Sequence, residues 1–317
     1  MIAKPSLLVP SAVLFAIVLA SACRAPEAAA PEIRIDAPAP SATKAEQLPG
    51  LHNVVTYADQ IVCGGVPEGE EGLHTLAAMG IKTIVSVDGA TPDVATAEKL
   101  GMRYVHLPIS YDTVTPERQQ QLAQALASCE EPIYMHCHHG KHRSAAALGN
   151  ALVLCGTLTP DVAQQRMQVS GTAKEYTGLW QVVADGKPLD AASLKVDPKS
   201  FPSVAKVSGM VATMAEIDAV IDLVKQSQKA GWKAPTDHPD LVATKETARL
   251  ATLFAGLKDD GESKALPADY QKMLGLAIEQ SLALDNAVRG GDQKQAEALL
   301  ASLNKGCKQC HVVYRDK

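Results

Sequence analysis

The chain has 317 residues, a formal net charge of −5 and a pI near 6.0, with 46% hydrophobic and only 4% aromatic residues. That length predicts about two domains, and the apolar content is ample for two cores. No basic block is present to neutralise a phosphodiester backbone, which argues against a nucleic-acid partner.

Met1-Ile-Ala-Lys4, followed by an apolar stretch from Leu7 to Ala20, has the form of a secretory signal peptide over residues 1–22. It is too short and wrongly flanked for a transmembrane span. The stretch ends Leu19-Ala-Ser-Ala-Cys23, which resembles a bacterial lipoprotein cleavage box. That resemblance implies a lipid on Cys23 and a membrane-anchored, periplasmic protein. Ala20 stands where leucine is more usual, so simple cleavage after Ala22 is the alternative. Residues 23–50 are rich in Ala and Pro without periodicity and read as an extended, disordered tether.

From Leu51 onward strands and helices alternate. Strands are expected at Gln60–Gly65, Ile81–Val87 and Arg103–Ile109. Helices are expected at Gly72–Met79, Pro92–Leu100 and Thr115–Ser128, the last with an N-cap Thr and first-turn Pro. Further helices are expected at Pro160–Val169 and Tyr176–Val183. This order predicts an α/β domain over residues 51–186, a mostly parallel sheet flanked by helices. Its functional residues should gather at the carboxyl ends of the strands.

The stretch Tyr134-Met-His-Cys-His-His-Gly-Lys-His-Arg-Ser144 is the chemical centre of that half. It reads as a strand end, a tight loop and a helix start. Cys137 and Arg143 bracket Gly140. Phosphoryl transfer through cysteine needs a thiolate, and loop N–H groups with the positive end of a helix stabilise an anion. Arg143 offers a bidentate fork for two phosphoryl oxygens. Gly140 lets the backbone turn closely around the anion.

This stretch resembles the His-Cys-x5-Arg-Ser motif of the protein tyrosine phosphatases, especially the small dual-specificity branch. The run Gly64–Asp93 carries a second part of the likeness, which spans roughly Leu51–Ala184. The resemblance implies Cys137 as nucleophile, Arg143 as phosphate clamp, His136 orienting the loop and Ser144 assisting the departing thiolate. His138, His139, Gly140, Lys141, His142 and Arg143 would line the phosphate. The three loop histidines depart from the usual pattern and suggest tuned substrate choice or an adventitious metal. A general acid must protonate the leaving group, and Asp112 lies between a strand end and a helix. Asp88 and Asp93 are its rivals.

Asp185–Pro202 carries Gly186, Pro188 and Pro198, and residues 187–203 are expected to be a linker. Beyond it, apolar residues recur at helical spacing: Val207, Met210, Met214, Ile217, Ile221 and Val224; then Leu250, Leu253, Phe254 and Leu257. Tyr270, Met273, Ala277, Leu284 and Val288 form a third stripe, and Leu299, Leu300 and Leu303 begin a fourth. Residues 204–317 are therefore expected to be an all-α four-helix bundle. Its last helix carries Cys307-Lys-Gln-Cys310-His311, with both thiols and the imidazole on one helix face. That spacing suits one covalent haem c held by Cys307 and Cys310, with His311 on the iron. A haem motif on the last helix resembles the cytochrome c′ and cytochrome c-556 group. That resemblance implies a sixth iron position facing the first bundle helix. Met214 is the candidate there, Met210 the alternative, and His238 a weaker one.

Cys63, Cys129 and Cys155 remain, with pairing unreadable from sequence. Cys63 ends a strand expected beside the Cys137 strand and is a candidate resolving thiol. The combined expectation is an exported phosphatase acting on phosphate monoesters, fused to a haem domain for redox or gas sensing or electron transfer with a redox partner. The alternative is a cytochrome whose phosphatase fold only binds a phosphorylated ligand. A rhodanese-like sulfurtransferase is a third reading, disfavoured by His136 and the Arg143-Ser144 pair.

Overall fold

The computed structural model describes residues 34–236, 239 and 241–315, together with Met1. The signal peptide, Cys23 and His238 lie outside the described residues. Three strands open the fold: β1 (Glu46–Leu48), β2 (Leu51–Ala58) and β3 (Ile61–Gly64), paired antiparallel. The chain then alternates through α1 (Gly69–Ala78), β4 (Thr83–Ser86), α2 (Val94–Lys99), β5 (Arg103–His106), α3 (Pro116–Ser128), β6 (Ile133–His136) and α4 (Arg143–Leu154). The sheet order is β1-β2-β3-β6-β4-β5, and β3, β6, β4 and β5 run parallel. β3, β4 and β6 are buried along their whole length, as expected of strands covered on both faces.

Register then sets the site. Gly64 and Ser86 both pair with His136, and His106 pairs with Ser86, so four strands finish at one level. The loops that follow must meet there. Behind them every residue of α4 is buried. Its small residues Ala145, Ala146, Ala147, Gly149 and Ala151 let it pack closely under α3, α5 (Pro160–Ser170) and α6 (Thr177–Ala184).

Two boundaries differ from expectation. The described part of the tether, residues 34–50, lies on the domain instead of trailing from it. Ile35 N–H donates to Ala78 O, Thr56 Oγ1 donates to Pro38 O, and Arg166 Nη1 donates to the carbonyls of Pro40 and Ala42. The expected linker 187–203 likewise belongs to the domain. It contains α7 (Ala191–Leu194), and Leu194 and Phe201 are buried in the core. Gln124 and Ser128 donate to carbonyls of residues 193 and 194, and Arg103 donates to those of Pro198 and Phe201. Burying two large apolar side chains stabilises this docking by about 1.5–3 kcal/mol each.

Four long helices follow, α8 (Gly209–Lys229), α9 (Ala243–Leu257), α11 (Ala268–Arg289) and α12 (Gln293–Tyr314), with a short α10 (Gly261–Ala265) before α11. Ser208 and Asp292 cap α8 and α12 by accepting the N–H of Val211 and Gln295. Their core joins Ile217, Val220, Val224, Leu250, Phe254, Leu284, Leu300 and Leu303. α8 packs on α9, α9 on α11 and α11 on α12, whereas α8 and α12 do not pack closely along their backbones. None of the described helices is long and apolar enough to cross a membrane.

Candidate active site

The loop from Cys137 to His142 joins β6 to α4. Its carbonyls are held from outside. Val66 N–H donates to His138 O at 3.1 Å, Asn53 Nδ2 to Gly140 O at 3.0 Å, and Thr172 Oγ1 to Lys141 O at 2.6 Å. In a planar trans peptide the N–H points opposite to the carbonyl. The N–H groups of His139, Lys141 and His142 therefore turn toward the loop interior. Arg143 N–H joins them, because His142 O already accepts from Ala146 as the first turn of α4 begins. Four converging N–H groups at a helix N-terminus make an anion cradle. Gly140 has φ +70°, and a Cβ there would fall within 2.6 Å of the Gly64–Gly65 backbone. Only glycine permits that turn this close to β3.

Cys137 lies in this loop, 2% exposed, with its Sγ 3.3 Å from Ser144 Oγ. Cys63 also reaches Ser144 Oγ, at 3.4 Å, so the two buried thiols share one hydroxyl. Burial pushes the Cys63 thiol well up, which keeps it protonated. Cys63 pairs with Met135, on the strand that enters Cys137, as expected. Cys63, Cys129 and Cys155 are free thiols, and no disulfide forms among the described residues.

Arg143 is 7% exposed, and its Nη2 and Nη1 reach the two carboxylate oxygens of Asp88 at 3.2 and 3.5 Å. Its guanidinium also stands 4.2 Å from the centre of the Tyr111 ring. Burial alone would push Asp88 up, but Arg143, His138, the Ala90 N–H and His136 together outweigh burial and hold the carboxyl below its ordinary range. Burial likewise favours deprotonating Arg143, and Asp88, Tyr111 and Cys137 outweigh it. The pair is therefore ionised near neutral pH, and Asp88 is a countercharge with no proton to donate. Arg143 Nε is buried without a hydrogen-bond partner among the described residues. It is a donor available to an anion in the cradle.

The histidines behave differently from one another. His136 is fully buried, bonds Tyr104 Oη through Nε2 at 3.3 Å, and is pushed down to about 4 chiefly by burial. His142 is also pushed down to about 4 by burial; its Nδ1 accepts from Ala173 N–H, and its ring packs on Tyr176. Both are neutral structural supports of the loop. His138 and His139 turn away from the cradle to Asp222 on α8, at 3.1 and 3.2 Å, and Lys141 is exposed. These residues offer the cradle their backbone, not their side chains.

Asp112 is exposed, in a turn where Ser110 Oγ accepts the N–H of Asp112 and Thr113. No hydrogen bond or ion pair joins its carboxylate to Cys137 or Arg143 among the described residues. Its neighbour Tyr111 nevertheless covers Arg143, so the turn stands beside the cradle. Asp93 caps α2 through Thr96 N–H and is committed there. Asn53, Thr172 and Tyr111 were missed from the sequence. Asn53 carries one legible hint, as Asn tolerates the left-handed conformation it adopts at φ +57°.

Residues 53–186 match one family model, described as "Swiss Army Knife protein, DSP-PTPase phosphatase domain". This half of the chain is a cysteine-phosphatase-like domain. The match covers less than half of the chain. Among solved structures, TpbA of P. aeruginosa is similar at 20% identity, covering 49% of this chain and 96% of that one, with TM-score 0.39. The core catalytic domain of the PP-IP phosphatase SIW14 from S. cerevisiae is similar at 16% identity, covering 45% and 89%, with TM-score 0.39. A putative phosphatase from Neisseria meningitidis is similar at 18% identity, covering 43% and 99%, with TM-score 0.35. No curated protein matches the chain.

In the helical half, Cys307 and Cys310 are half-buried free thiols packed against the bundle core beside Tyr314. Burial pushes Cys307 up to about 11 and raises Cys310 as well. His311, one residue further, is exposed. Met210 and Met214 are half-buried on α8 against the same core. Two thiols and an imidazole, donor types that c-type haem uses, thus stand on α12, and two thioethers stand on α8.

Proposed function

We propose that the α/β half hydrolyses phosphate monoesters through a phosphocysteine. The observation that carries this reading is the cradle, with four N–H groups and the buried Arg143 around Cys137. The Cys137 thiolate attacks phosphorus while the bond to the ester oxygen breaks, and Asp112 gives that oxygen a proton. Water then attacks the phosphocysteine, returns its proton to Asp112, and leaves phosphate with the thiolate restored. Ser144 Oγ, already bonded to Sγ, stabilises the leaving sulfur. The loop N–H groups and Arg143 stabilise charge on the equatorial oxygens.

Asp112→Asn tests the acid. It should slow release from phenyl phosphate by about 10²-fold or more, and from p-nitrophenyl phosphate far less, because p-nitrophenolate leaves without a proton. Equal losses would reassign the proton donor. No phosphate release from either ester by the wild-type chain would remove the phosphatase reading.

For the helical half we propose one covalent haem c. Cys307 and Cys310 would carry it, His311 would bind the iron, and Met214 is the candidate for a second iron ligand. The group would supply one-electron transfer or gas binding, with the redox partner outside the chain. Such attachment agrees with export to the periplasm and a lipid on Cys23. Expression with a haem-attachment system should give a haem band that survives denaturing electrophoresis and disappears in the double variant Cys307→Ser/Cys310→Ser. A wild-type chain that never retains haem under those conditions would contradict this assignment.

A further inference from the structure

His138 and His139 belong to the phosphate loop, and Asp222 belongs to α8, 84 residues from His138 along the chain. His138 Nε2 stands 3.1 Å and His139 Nε2 3.2 Å from the same oxygen, Asp222 Oδ2. The two imidazole planes lie 85° apart, and all three donor atoms fall within 4.8 Å of one another. Donors about 2.0–2.2 Å from a tetrahedral zinc are separated by about 3.3 Å, close to the two His–Asp distances. Lys225 takes the other carboxylate oxygen, Oδ1, at 2.9 Å and leaves Oδ2 to the histidines. The side chains are 17%, 43% and 31% exposed, open enough for a water to complete the shell.

We propose that His138, His139 and Asp222 bind a divalent transition metal of the zinc class, which fastens α8 across the mouth of the phosphate loop. Two imidazoles and one carboxylate favour zinc and its neighbours over magnesium or calcium, which select oxygen donors. Binding displaces any proton from each Nε2 and leaves the loop backbone unchanged. α8 meets the site at a second place, where a Cβ on Gly89, next to Asp88, would fall 2.7 Å from Val211 Cγ1. Val211 and Asp222 are about three turns apart, so the helix spans the face where the parallel strands end. A metal at one end of that span holds the helix where incoming substrate must pass. Zinc therefore lowers turnover by resisting displacement of α8. This consequence rests on the phosphatase reading, while the metal site does not.

The test uses the full chain, its haem attached if present. Equilibrium dialysis with zinc should give one tight equivalent, and zinc X-ray absorption should show nitrogen and oxygen neighbours only. Asp222→Asn and His139→Asn should each weaken that affinity by at least about 10-fold, since lost outer-shell partners alone cost that much. Both side chains are partly exposed, and a circular dichroism spectrum unchanged from wild type confirms that each variant is folded. One equivalent of zinc should slow p-nitrophenyl phosphate turnover by wild type, a chelator should restore it, and Asp222→Asn should keep its zinc-free rate. Sulfur in the shell, or unchanged affinity in both variants, would overturn the site. Full inhibition of Asp222→Asn would assign zinc to the Cys137 sulfur and overturn the fastening role. Zinc bound in the nitrogen and oxygen shell by a chain that hydrolyses nothing would uphold the site and count against the phosphatase reading instead.

Discussion

Replacing Cys137 with Ser is expected to lower p-nitrophenyl phosphate turnover by on the order of 10⁴–10⁶-fold, the range seen when a covalent nucleophile is removed. At about 1.4 kcal/mol per decade that is roughly 5–8 kcal/mol of transition-state stabilisation. The reason is electronic. A serine hydroxyl in the same place is a poor nucleophile without an adjacent base. Cys137 shares a hydrogen bond with Ser144, and His136 is buried, neutral and bonded to Tyr104. The cradle itself is built from backbone groups fixed by Asn53, Thr172 and Val66, none of which touches Sγ. Phosphate binding by the serine variant should therefore stay within a few-fold of wild type, measured as the rise in melting temperature with added phosphate. A variant that keeps its turnover would move the chemistry to another group. One that loses turnover and phosphate binding together would mean that the sulfur, not the backbone, organises the loop.

The parts of the site that were legible in the sequence are those that are local in it. His136, Cys137, Gly140, Arg143 and Ser144 lie within nine residues, and one strand–loop–helix carries them all. The parallel strands were legible as short apolar or β-branched runs between helices. Asp88 meets Arg143 across 55 residues, Asn53 meets Gly140 across 87, and Thr172 meets Lys141 across 31. Those meetings depend on sheet register and, for Thr172, on how α5 packs beside the loop, which no local pattern encodes. β1 and β2 were missed for a related reason. β2 carries Asn53 in a left-handed conformation and is buried without strict alternation, so the period-two signal is lost. Residues 34–50 read as a tether because backbone carbonyls, which leave no mark on composition, hold part of them to the domain. Asp88 appeared in the sequence as a rival acid because it ends a strand. The structure assigns it the opposite charge role, as the anion that faces Arg143.

That role makes Asp88→Asn the variant with the largest expected effect on stability. The side chains of Asp88 and Arg143 are 6% and 9% exposed, so removing one charge strands the other away from water. Breaking such a buried pair costs about 3–5 kcal/mol, a large part of the 5–15 kcal/mol that holds a typical domain. Asparagine keeps the shape and can still accept from the N–H of Gly89 and Ala90, so the loss reports the charge and not the packing. The pH dependence follows from sign. Arg143 lowers the folded pKa of Asp88, so its contribution is fully present above the unfolded value of about 3.9 and is lost as pH falls through the lower folded value. Wild type and Asp88→Asn should thus differ most near neutral pH and converge in acid, as followed by urea unfolding. Inorganic phosphate should narrow the gap, since a dianion in the cradle supplies Arg143 with a new countercharge. At 100 times its dissociation constant a ligand adds about 2.7 kcal/mol to the folded state. Phosphate should therefore stabilise the variant by more than it stabilises wild type, where it must compete with Asp88 for the same guanidinium. Equal stabilisation of both proteins would show that phosphate does not reach Arg143, and the clamp would have to be sought elsewhere in the loop.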